Sequence, residues 1–121
     1  MITKKTEQNP ADATVHTEHT IPLSKAEYSE LAVEGKRLRK TRYAYPCNGT
    51  TAEVDVFHDA LDGLVLIDFE FSSMGEKENF KAPDFCLADV TNELILAGGM
   101  LCGKNYGEIE GALAKYSYKR I

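Results

Sequence analysis

Apolar and polar positions alternate with a period of two over approximately Leu64–Ser72, and two further strands are read before it, approximately Arg37–Tyr45 and Thr51–Phe57. The connections between them, PCNGT and HDALDG, are short and rich in turn formers, so the pattern predicts three strands in an antiparallel meander. A fourth strand is expected before them in TVHTEHTIPL, where Pro22 marks its end because proline removes a ladder donor. Between this strand and the meander, Ser24 and Glu27 have the spacing of a capping box, Tyr28, Leu31 and Ala32 form an apolar stripe, and Gly35 supplies a stop, which together predict a helix. Ser73 and Glu76 repeat the capping spacing ahead of a short helix running to about Phe80, with Pro83 beyond it. The stretch DVTNELILAGGMLCGK is apolar but interrupted by glycine, and NYGEIEGALAKY predicts a helix capped by Asn105. Residues 1–13 are polar and aperiodic and are expected to be a flexible tail, with one α+β domain over 14–121.

At 121 residues the chain is long enough for one hydrophobic core, and 43% hydrophobic with 27% charged residues fits a globular domain. No apolar run approaches the roughly 20 residues that span a bilayer, and the beginning of the chain lacks the apolar segment of a secretory signal, so no membrane partner and a cytoplasmic location are expected. Cys47, Cys86 and Cys102 are odd in number and widely spaced, which favours free thiols over a disulfide framework or a zinc site. The net charge of -5 argues against nucleic acid as a partner. Local charge is segregated, however. Five of the nine residues in GKRLRKTRY are basic, whereas carboxylates gather at Glu53, Asp55, Asp68 and Glu70.

That segregation has two physical meanings. Lys40 and Arg42, two apart on a strand, point to the same side and can grip one anion. Asp68 with Glu70, and Glu53 with Asp55, have the same spacing, and hard oxygen ligands suit Mg or Mn arriving with the phosphates of a ligand. Alternatively the opposite charges pair across neighbouring strands, or simply solvate an exposed face. His16 and His19, three apart, fall on opposite faces of a strand, and His58 sits at a turn without a neighbouring nucleophile motif. The chain has no phosphate-binding glycine loop, dinucleotide fingerprint or zinc spacing.

The ordered strings RKTRY, AEVDVF followed by GL, IDFEF, F-x-x-P and DVT resemble the second half of a CYTH domain, the fold of the triphosphate tunnel metalloenzymes. The similarity covers roughly Glu18 to Thr91. It implies about four strands of an eight-stranded antiparallel barrel, with Lys40 and Arg42 binding phosphate, and Glu70, Asp68, Asp55 and Glu18 on the metal side with Mg or Mn. Asp68 stands where the family usually has glutamate, Thr20 replaces the acidic partner of Glu18, and His16 stands at an expected basic position. The E-x-E-x-K strand that opens the family is absent. The resemblance therefore implies a domain that binds a triphosphate or nucleotide and is incomplete as an enzyme. The alternative is an active metal-dependent triphosphatase, or a class IV adenylate cyclase-like enzyme, completed by a second chain or by oligomerisation. Four strands are too few to close a tunnel, so a homodimer is expected.

Overall fold

The computed structural model describes residues 2–7 and 16–121, and these form an α+β chain of five strands and four short α-helices. They divide into two compact units, one formed by residues 1–37 with 90–102 and the other by residues 38–89 with 103–121.

In the second unit, β3 (Lys40–Cys47), β4 (Thr50–Phe57) and β5 (Val65–Phe69) form the antiparallel meander that the sequence pattern predicts, in the order β3-β4-β5. Its register starts at the tightest connection. Asn48 and Gly49 both have positive φ, 48° and 79°, which is the two-residue turn whose twist matches a hairpin. Asparagine and glycine accept that conformation at the lowest steric cost. Cys47 then faces Thr50, and counting outward sets Arg42 against Asp55 and Lys40 against Phe57. On the other side of β4, Glu53 faces Asp68 and Asp55 faces Leu66. Strand alternation thus gathers Lys40, Arg42, Glu53, Asp55 and Asp68 on one face, and Tyr43, Tyr45, Val54, Val56, Ile67 and Phe69 on the other.

The apolar face is covered in part by the chain after β5. A helix, α2 (Met74–Glu78), is capped at Ser73, whose hydroxyl accepts from the Glu76 N–H, as the spacing predicts. Phe80 beyond it packs on Phe69 and Phe71, with ring centroids 4.6 and 5.0 Å away. Phe57, Leu61 and Leu64 at the β4–β5 connection are buried, and so are Tyr106, Ile109 and Leu113 of α4 (Tyr106–Ala114). Asn105 and Glu108 cap α4 reciprocally, each accepting from the other's backbone N–H. The segment after α4 is tied to the β4–β5 turn by the Tyr118 hydroxyl, which accepts from the Val65 N–H at 2.9 Å and donates to the Gly63 carbonyl at 2.8 Å. The Ile121 N–H also donates to the Gly63 carbonyl.

The first unit contains a hairpin of β1 (Ile2–Glu7) and β2 (His16–Ile21), in register from Ile2 with Ile21 to Glu7 with His16. Within the stretch 1–13, expected to be a flexible tail, the backbone of Ile2–Glu7 pairs with β2; the rest of that stretch lies outside the described residues. The strand signal of Ile2–Glu7 is weak because Lys and Glu are poor strand formers and Ile2 is its one apolar residue. The four strands that the resemblance implies do not form one sheet: the strand expected in TVHTEHTIPL, β2, pairs with β1, and the meander has three strands. In α1 (Lys25–Leu31), Ser24 caps the Glu27 N–H as expected, and the helix tightens into a 3-10 turn at Ala32–Glu34 before Gly35. Its expected apolar stripe does not enter a core: Tyr28 and Leu31 are 59% and 58% exposed. The glycine-interrupted stretch forms a 3-10 turn at Leu94–Leu96 and α3 (Gly98–Leu101), which bury Leu96 and Leu101.

Candidate functional site

The charged face of the meander is organised around one carboxylate. Asp55 is 2% exposed, in the middle of the central strand, and its two oxygens accept three hydrogen bonds from cations. Arg42 Nε donates to Oδ1 at 2.7 Å, Arg42 Nη2 donates to Oδ2 at 2.8 Å, and Lys40 Nζ donates to Oδ2 at 2.6 Å. Burial on its own would push the Asp55 pKa up, because it penalises the charged form. The bonds from Arg42 and then Lys40 overcome that penalty and hold the carboxyl below the usual carboxylate range. In return, the hydrogen bond to Asp55 raises the Arg42 pKa.

Arg42 is shared more widely. Its Nη1 lies 2.8 Å from Glu53 Oε2 and its Nη2 lies 3.5 Å from Asp68 Oδ2, so one guanidinium touches three carboxylates on two neighbouring strands. Glu53 and Asp68 are directly opposite each other across the β4–β5 ladder, a like-charge arrangement that a cation between them relieves. Lys40 also stands 5.7 Å from the centre of the Phe57 ring, its cross-strand partner. Among the described residues no buried side-chain nitrogen or oxygen lacks a hydrogen-bond partner.

The structure therefore brings Lys40, Arg42, Asp55 and Asp68 together, with Glu53 among them, as the strand spacing implies. Cross-strand pairing, one of the two meanings open to the sequence, is the arrangement observed. Two other expected site residues are placed differently. Glu70 follows the end of β5 and is exposed, and its backbone carbonyl accepts from the Thr50 hydroxyl at 3.4 Å. Glu18 lies on β2, in the other unit. The basic run is also dispersed: Arg39 makes an exposed two-bond pair with Asp59, at 2.9 and 3.1 Å, away from Asp55. Among the described residues no group of three or more His, Cys, Asp or Glu side chains is placed to hold a metal ion. At Asp55 both carboxylate oxygens accept from Lys40 and Arg42. His58 is occupied as well, its Nε2 being 2.6 Å from the Thr41 hydroxyl.

No family model, curated protein or solved structure matches the chain. No helix among the described residues is long and apolar enough to cross a membrane.

Proposed function

We propose that this chain is a CYTH-like domain that binds a triphosphate or nucleotide as its magnesium or manganese complex on the charged face of β3–β4–β5, and that it is incomplete as an enzyme. What supports this is the single guanidinium of Arg42, 44% exposed, held at its Nε edge by buried Asp55 while its outer edge reaches only Glu53 and Asp68. The inner bonds orient a planar fork whose outer N–H groups can exchange carboxylates for phosphate oxygens, the geometry for which arginine is suited. Lys40 adds a second cation on the same face. Three carboxylates against two cations disfavour a bare polyanion. A ligand whose phosphates already carry a divalent ion meets less repulsion, so the complex is the species expected to bind.

Thermal unfolding with magnesium alone, triphosphate alone and both together tests the proposal. A ligand at 100 times its dissociation constant stabilises by about 2.7 kcal/mol, so only the combination should raise the midpoint clearly. Lys40→Ala with Arg42→Ala should abolish that rise. Because this pair of changes strands Asp55, Arg42→Lys is measured beside it; it keeps the charge, removes the fork and should weaken the rise. No shift in the wild type up to millimolar ligand overturns the proposal, and phosphate release would instead favour an enzyme completed by another copy or chain.

A specific observation favours a second reading: both oxygens of Asp55 are satisfied internally. On that reading the five charges fasten three strands together and bind nothing, and ligand-independent unfolding of a well-folded protein is its signature.

A further inference from the structure

On the apolar face of the meander, β3 meets the segment that follows α2. Tyr45 and Phe85 pack edge to face, with ring centroids 5.9 Å apart and planes at 84°. Each ring has a cysteine beside it. Cys47 lies two residues after Tyr45 on β3 and so shares its face, and Cys86 directly follows Phe85. The Cys86 N–H donates to the Pro83 carbonyl at 3.0 Å, which closes a turn and fixes the direction of the chain at this point. Both thiols are free and half-buried. Burial raises the Cys86 pKa, and the charge of the Cys47 sulfur raises it further. Cys102 belongs to the other unit.

We propose that Cys47 and Cys86 are a latent redox pair that forms an intramolecular disulfide and staples the segment carrying Phe80 and Phe85 to β3. The oxidant is a low-molecular-weight disulfide such as oxidised glutathione. One protein thiolate attacks it, forming a mixed disulfide and expelling one small thiolate. The second protein thiolate attacks the protein sulfur of that mixed disulfide and expels the other small thiolate. Two electrons pass from the two cysteines to the reagent, and the two thiol protons end on the two small thiols. The raised Cys86 pKa makes its thiolate scarcer near neutral pH, so closure is faster as pH rises.

The test treats the full chain carrying Cys102→Ser with reduced and oxidised glutathione at about pH 8.5, followed by alkylation and non-reducing peptide mapping. The expected product is a monomer that has lost two hydrogens and yields a linked peptide containing Cys47 and Cys86, with a melting midpoint raised by several degrees because the closed loop is long. Reduction should reverse both changes. Cys47→Ser and Cys86→Ser in that background should give only a glutathione adduct at the remaining cysteine, and circular dichroism of their reduced forms checks that they fold. Persistent double glutathione adducts, cross-linked dimers, or two thiols still open to alkylation in the folded protein would each overturn the proposal.

Discussion

Replacing Asp55 with asparagine removes one charge and almost no volume, so its cost isolates the electrostatic role of the central carboxylate. Breaking a fully buried ion pair by removing one partner costs about 3–5 kcal/mol. Here the carboxylate is 2% exposed, but the side chains of Lys40 and Arg42 are 31% and 44% exposed, so both cations recover hydration, and Arg42 keeps Glu53 at 2.8 Å. Discounting for that solvent contact gives about 2 kcal/mol, which for a chain of this length lowers the melting midpoint by about 8 °C. The sign of the pH dependence follows from the depressed carboxyl pKa. The stabilisation is fully present above the unfolded-state value of about 3.9 and is lost as pH falls through the lower folded-state value. Urea unfolding followed by circular dichroism, for wild type and Asp55→Asn from neutral pH down to about pH 3, should show a gap that is constant near neutrality and narrows in acid. A neutral-pH difference below about 0.5 kcal/mol would refute the assignment of Asp55 as the centre of the network. So would a gap that does not narrow in acid.

Tyr118→Phe deletes a hydroxyl that serves the Val65 N–H and the Gly63 carbonyl together, and should cost about 1–2 kcal/mol in urea unfolding. Gly63→Ala places a methyl group against the Arg120 side chain at a φ of +95°, and should lower the melting midpoint by several degrees. Adding Arg120→Ala should restore only part of that loss, since the clash goes and the backbone strain stays. Asn105→Ala removes one half of the α4 capping box and should cost about 1 kcal/mol, read as a lower midpoint with unchanged denaturant slope.

What was legible in the sequence was local. Ser24, Ser73 and Asn105 each announce a helix start because a cap involves residues only three apart, and all three accept from the N–H that the spacing implies. The meander was legible because its two connections are short and its last strand alternates. The convergence of Lys40, Arg42 and Asp55 is a consequence of register, and register follows from the two-residue Asn48–Gly49 turn once that turn is known to be tight. The destination of the Tyr28 and Leu31 stripe was not legible, because periodicity says that a face is apolar without saying what covers it. Nor was the hold of Tyr118 on Gly63. It joins residues 55 apart, and neither residue type marks itself as one half of a pair. Ile2–Glu7 went unseen because Thr3 and Lys4 are exposed and polar, and the Thr3 hydroxyl meets that of Thr20, its cross-strand partner, at 2.9 Å.

The link between Tyr118 and the β4–β5 turn also constrains the timing of folding during synthesis. β5 is complete when Phe69 has been added, but the hydroxyl that satisfies the Val65 N–H comes from Tyr118. At about 5–20 residues per second, the ribosome takes roughly 2–10 s to pass from Phe69 to Tyr118. A hairpin forms in microseconds, so the arrival of the hydroxyl that satisfies the Val65 N–H is set by the pace of synthesis and not by the intrinsic speed of strand pairing.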